Sequence, residues 1–140
     1  MPQSENEITI LLVEDDDVDV MSIQRTLKKH RIANSLVRAK HGKEAMELLE
    51  NDRVKKPYII LLDINMPVMN GIEFLETIRS HKTLHDSTIF VLTTSSADED
   101  ITKAYNQHIA GYFLKCETGS SVTNVVNVLG GYWKIVHLPK

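Results

Sequence analysis

Glu14, Asp15, Asp63, Thr93 and Lys115 are the residues whose types and settings could do chemistry together. Asp63 ends the apolar run Tyr58-Ile59-Ile60-Leu61-Leu62, which has the pattern of a strand buried on both faces. Its carboxylate would emerge at the carboxyl edge of a parallel sheet, where open α/β sheets put their chemistry. Pro67 and Asn70-Gly71 mark a turn before the next helix. The bland alternative is an aspartate that merely ends a strand or caps a turn. Glu14-Asp15 ends a first apolar run, Thr93 a fourth and Lys115 a fifth, so one edge would gather all five residues. Three neighbouring carboxylates repel one another unless a cation compensates, and a hard divalent ion with oxygen ligands is the natural occupant. Mg²⁺ fits best, with Asp15 and Asp63 as direct ligands, Glu14 direct or through water, and the backbone carbonyl of Asn65 as a further oxygen. Lys115 as a point charge and Thr93 as a hydroxyl donor would then neutralise charge during phosphoryl transfer, with Asp63 as the nucleophile.

The elements that must position these groups follow from alternating periods. Ile8 to Val13 reads as strand one. Val20, Ile23 and Leu27 recur at helical spacing up to about His30, behind an acidic start that suits the helix dipole. Ser35 to Ala39 reads as a short second strand and Gly42 to Asn51 as helix two. Ile72 to Arg79 reads as helix three, Ser87 to Leu92 as strand four, a start at Asp98 or Glu99 as helix four, and Tyr112 to Lys115 as strand five. Val122, Val125, Val126, Leu129, Tyr132, Trp133 and Val136 predict a last helix over about 120–137, with Ser120 or Ser121 as N-cap and a bend expected at Gly130-Gly131. Five β/α alternations with short crossovers predict an α/β, (βα)5 domain around a parallel sheet.

Composition narrows the function classes. A chain of 140 residues, 42% hydrophobic, suits one compact domain over 1–140, with a core over about 8–118, so an output domain is not expected within it. A net charge of -3 with scattered Lys and Arg disfavours nucleic-acid binding. No apolar stretch approaches a membrane span and the N-terminus has no leader pattern, which predicts a cytoplasmic protein. The single cysteine, Cys116, agrees with a reducing compartment.

Glu14-Asp15 after strand one, Leu62-Asp63-Ile64-Asn65-Met66-Pro67 with Gly71, Val91-Leu92-Thr93, and Gly111-Tyr112-Phe113-Leu114-Lys115 closely resemble the receiver domain of two-component response regulators. The match runs from about Ile8 to the final helix. Leu12-Val13-Glu14-Asp15-Asp16, Leu92-Thr93-Thr94-Ser95 and Tyr132-Trp133-Lys134-Ile135-Val136 are similar to the single-domain subgroup associated with bacterial phytochromes. The resemblance implies a flavodoxin-like, doubly wound sheet of strand order 2-1-3-4-5. It also implies that Asp63 takes a phosphoryl group from a sensor histidine kinase with Mg²⁺ required, and that the acyl phosphate later hydrolyses. Such a protein catalyses only its own phosphorylation and dephosphorylation. Thr93 and Tyr112 would form the switch, read by a downstream protein on the face of helix four, strand five and helix five, and a homodimer through helix four and strand five is implied by the phytochrome-type relatives. Cys116 departs from the family, which places proline after the lysine, often in a cis peptide. A non-proline cis bond costs about 2.5–4 kcal/mol.

Other readings compete. Asp15, Asp17 and Asp19 alternate like calcium-loop ligands, but Val20 and Thr26 stand where glycine and glutamate are needed, so Asp16, Asp17 and Asp19 are expected as a solvated helix start. His81 and His85 could clasp a metal only if helical, and no third ligand is in view. Val18 and Met21 lie off the inward stripe of helix one and could dock a kinase's helical domain. Phosphatases using an aspartyl-phosphate intermediate carry a second aspartate two residues on as general acid, a place Asn65 holds here. A phosphorylation-independent binding module is a third possibility.

Overall fold

Strands β1 (Thr9–Val13) and β3 (Tyr58–Leu62) are pure apolar or β-branched runs without an exposed residue, and they lie side by side within one sheet. The computed structural model describes residues 8–30, 32, 34–115 and 127. With β2 (Leu36–Ala39), β4 (Thr88–Thr93) and β5 (Gly111–Leu114), the strands form an all-parallel sheet of order β2-β1-β3-β4-β5, as expected. Full burial of β1 and β3 follows from their neighbours on both sides, whereas β2, at one edge, is mostly half-buried.

Helices α1 (Asp17–Lys29), α2 (Gly42–Glu50), α3 (Gly71–Arg79) and α4 (Asp98–Asn106) cover the two faces unequally. Val20, Ile23 and Leu27 of α1 pack on Ile10, Leu12, Ile59, Leu61, Phe90 and Leu92. The alternate strand residues, Leu11, Val13, Ile60, Leu62, Ile89 and Val91, meet Ala45, Met46 and Leu49 of α2, Phe74, Leu75 and Ile78 of α3, and Ala104 of α4. The period of two along each strand thus feeds two separate cores. Among the described residues no helix is long and apolar enough to cross a membrane.

Boundaries move by one or two residues from the sequence expectation, and two shifts matter. Thr93 is the last residue of β4, and Lys115 lies just beyond β5 with its N–H donating to the Thr93 carbonyl at 2.7 Å. Helix α1 starts at Asp17 because Asp16 caps it, its Oδ1 accepting from the N–H groups of Val18 (2.8 Å) and Asp19 (3.3 Å). The last predicted helix, Cys116 and the Lys115–Cys116 peptide lie outside the described residues, apart from the helical Asn127.

The turn after β3 is held from both ends. Asn70 and Glu73 form a reciprocal capping box at the start of α3, with bonds of 2.9 and 3.1 Å. Gly71 donates its N–H to the Ile64 carbonyl at 2.9 Å, and a Cβ there would lie 2.5 Å from the Asp63 carbonyl oxygen and 2.7 Å from the Ile64 Cα. Both are backbone atoms, so the turn itself would have to move. Gly71→Ala is expected to destabilise the domain by about 1–3 kcal/mol in urea titrations, an overpacking cost. An unchanged midpoint would show that the turn is not tightly packed.

Candidate functional site

The parallel order carries the carboxyl ends of β1, β3, β4 and β5 to one edge. Backbone bonds fix the groups there: Asp63 donates its N–H to the Val13 carbonyl at 3.0 Å, and Glu14 to the Ala39 carbonyl at 2.9 Å. Glu14 is 1% exposed, Asp63 6% and Thr93 0%, while Asp15 is open to solvent. One carboxylate oxygen each from Glu14, Asp15 and Asp63 lies within 4.8 Å of the other two, and theirs is the one such His/Cys/Asp/Glu group among the described residues.

The ammonium of Lys115 enters this acidic cluster. It touches Glu14, lies 2.9 Å from Asp19 Oδ2 and 3.5 Å from Asp63 Oδ2, and its side chain is 11% exposed. Burial works against the charged lysine, but the bonds to Glu14 and Asp19 and the charges of Asp63 and Glu14 outweigh it and raise its pKa. Burial pushes the Glu14 carboxyl from 4.5 up to about 8, opposed by its bond to Lys115 and reinforced by the charge of Asp63. One ammonium therefore leaves the carboxylates under-compensated. The donors are all hard oxygens on rigid backbone, a set that fits a small divalent cation such as Mg²⁺.

Glu14 also sets a pH dependence for the metal-free protein. Its folded pKa lies above the unfolded value, so its contribution to stability is full below about pH 4.5 and is lost as pH rises through about 8. Glu14→Gln, which does not ionise, should gain on the wild type across that window by up to about 1.4 kcal/mol per pH unit. Denaturant unfolding in chelating buffer at several pH values measures the gap, and a gap independent of pH contradicts the assignment.

Around the cluster, Asn65 donates its N–H to Asp63 Oδ1 at 3.2 Å and its side-chain amide to Thr94 Oγ1 at 3.4 Å. Thr93 Oγ1 accepts the Ser95 N–H at 3.3 Å. The Tyr112 hydroxyl donates to the Ser95 carbonyl at 2.8 Å, and the Ser95 hydroxyl to Asp100 Oδ2 at 2.5 Å. Thr93 and Tyr112 thus meet on one loop, the β4–α4 connection.

Two residues escaped the sequence reading. Asp19, expected to be solvated, turns inward to Lys115, since the Asp16 cap sets the phase of α1. Arg38 of β2 clasps the acidic turn, its Nε donating to the Glu14 carbonyl at 2.8 Å and its Nη2 to the Asp15 carbonyl at 3.1 Å while pairing with Asp17 at 2.8 Å. The expected solvated role fits Asp16 and Asp17, which are exposed. His81 spends Nδ1 accepting the N–H groups of Thr83 and Leu84, both at 3.2 Å, and among the described residues neither it nor His85 belongs to a group of three or more metal-ligating side chains. Val18 and Met21 are exposed, at 73% and 56%.

An open five-stranded parallel sheet with this acidic edge and a facing lysine defines a receiver. The family model for the response regulator receiver domain matches residues 10–127, and the chain belongs to that family. It is 33% identical over 135 residues to the response regulator Rcp1 of Synechocystis sp., covering 93% of this chain and 92% of that protein. It is 30% identical over 134 residues to the probable methanogenesis regulatory protein FilR2 of Methanothrix harundinacea, covering 94% and 86%. Among solved structures, the phosphorylated cyanobacterial phytochrome response regulator RcpA is similar with a TM-score of 0.83 at 32% identity, covering 94% of this chain and 98% of that one. The Mn²⁺-bound form of Rcp1 gives 0.82 at 31% identity, covering 94% and 99%.

Proposed function

We propose that this receiver accepts a phosphoryl group on Asp63 from the phosphohistidine of a sensor histidine kinase, with Mg²⁺ required, and signals through a phosphorylation-controlled protein contact. The observation that carries the reading is the Lys115 ammonium lodged 3.5 Å from Asp63 Oδ2 in a cluster of three carboxylates that fits a divalent cation. The Asp63 carboxylate attacks phosphorus, an O–P bond forms, the N–P bond breaks, and the imidazole leaves with its electron pair and takes up a proton. Lys115 meets a phosphoryl oxygen as a point charge and the Thr93 hydroxyl donates to another, so that charge is met by groups already in place. Mg²⁺ held by Asp15, Asp63, Glu14 directly or through water, and the Asn65 carbonyl would supply further charge neutralisation. Movement of Thr93 toward the new phosphate would be passed to Tyr112 through Ser95, which both side chains engage.

Likeness to Rcp1 and RcpA supports a phytochrome-type kinase in the cytoplasm as the donor. Tyr105 of α4 and Leu114 of β5 are large apolar residues at 50% and 45% exposure, which supports that face as the one a downstream protein or a second copy covers. Asn65 leaves the phosphatase alternative without a general acid at that position. Incubation with phosphoramidate and Mg²⁺, followed by intact-mass measurement, should show one phosphoryl group per chain that is later lost by hydrolysis. No mass gain, or turnover of a phosphate ester at many cycles per minute, would refute the proposal.

A further inference from the structure

Lys115 has three N–H donors and three carboxylate acceptors, Glu14, Asp19 and Asp63. Glu14 and Asp63 have a second claim on them, because their oxygens belong to the cluster within 4.8 Å that suits a divalent cation. Asp19 is outside that cluster, so a dication drawing in the other two leaves it as the acceptor still committed to the lysine. It is also the best placed for the task. Asp19 stands in the first turn of α1, its N–H held by Asp16 Oδ1 at 3.3 Å, on a helix seated by the buried Val20 and Ile23. The backbone of Lys115 is fixed separately, by its N–H on the Thr93 carbonyl at 2.7 Å. Between that anchor and the ammonium runs a flexible four-carbon stem, which a single fixed end does not aim.

We infer that Asp19 is a positioning residue: it holds the Lys115 ammonium in the loaded site and acts on phosphoryl transfer only through that lysine. The inference rests on the function proposed above. Asp19 itself touches neither the phosphoryl group nor the cation. Its carboxylate is 38% exposed, so the pair is partly screened and its effect on rate is moderate.

The test is the rate of labelling by phosphoramidate at saturating Mg²⁺, followed by intact mass in the full chain. Asp19→Asn should label about fivefold more slowly, the factor a partly exposed charged pair provides. The Mg²⁺ concentration at half-maximal rate should stay within about twofold, and Asp19→Glu should recover most of the rate. In a Lys115→Met background, Asp19→Asn should change the remaining slow rate by less than about twofold, because the lysine it acts through is gone. A fivefold loss that persists without Lys115, or no loss in Asp19→Asn, would overturn the inference. Should Lys115→Met fail to fold, the Asn and Glu variants decide alone, since a role of Asp19 in the fold alone would shift unfolding midpoints and not the labelling rate of folded protein. A wild type that takes no phosphoryl group sinks the functional reading and this inference together. A wild type labelled on Asp63 with Asp19→Asn at the same rate sinks only this one.

Discussion

Asp63→Asn is expected to abolish uptake of a phosphoryl group, by more than about a thousandfold, because a neutral amide oxygen is a far poorer nucleophile than the carboxylate it replaces. The change is isosteric, and the remaining amide oxygen can still accept the Asn65 N–H that Asp63 Oδ1 accepts at 3.2 Å. It also removes one negative charge, 6% exposed, from beside the buried Glu14, whose pKa that charge helps to raise. The variant should therefore unfold at the same temperature as the metal-free wild type or higher while losing all labelling. Loss of labelling accompanied by unfolding would leave the nucleophile unassigned. Labelling at the wild-type rate would rule Asp63 out.

The second large effect is expected from Lys115→Met, which keeps the apolar stem and removes the charge. Loss of one preorganised group aimed at developing charge costs about 10²–10³ in rate, and that is the slowing expected in labelling assays with Mg²⁺ present. Stability should suffer as well. Glu14, 2% exposed in its side chain, loses the cation that faces it, and breaking a buried pair from one side costs about 3–5 kcal/mol. Lys115 holds the Glu14 carboxyl down, so without it Glu14 takes up a proton at higher pH, and the loss should shrink as pH falls toward about 8 and stay constant below that. A variant as stable as wild type at pH 9 would show that the Lys115–Glu14 contact contributes little.

Why the main site residues stand out in the sequence, and others do not, has a physical basis. Asp63, Glu14 and Lys115 each follow an apolar run, and a parallel sheet sends every carboxyl end to the same edge. Strand periodicity alone therefore brings together residues up to 101 positions apart. β1 and β3 are legible because burial on both faces removes every polar residue from them but Thr9 and Tyr58. Asp19 was hidden because its direction depends on the phase of α1, which the Asp16 cap sets; composition shows only an acidic run. Arg38 bonds mainly to backbone carbonyls, as does Arg79, whose guanidinium donates to the carbonyls of His85, Ser87, Gln107 and His108 at 2.6–3.0 Å. Backbone acceptors leave no complementary residue type to find. Val68 is a different case. It has φ 67 in the turn after Asp63, where a β-branched residue is the last type expected, so the path of that turn follows from its neighbours, Gly71 and the Asn70–Glu73 capping box, and not from Val68 itself.

The large exposed apolar residues lie apart: Val18 and Met21 on α1, Val68 in the turn after β3, Tyr105 on α4 and Leu114 on β5. Under the proposed function, such separate patches would suit a donor and a reader met at different surfaces, with Thr93 and Tyr112 converging on Ser95 in the β4–α4 loop.

The most direct measurement is to locate the phosphoryl group. Protein treated with phosphoramidate and Mg²⁺ would be trapped, digested and mapped by mass spectrometry. A single modification on the peptide carrying Asp63, labile to hydroxylamine as a mixed anhydride is, is the predicted result. A phosphoryl group on any other residue, or an unmodified Asp63 at saturating donor and metal, would contradict the account.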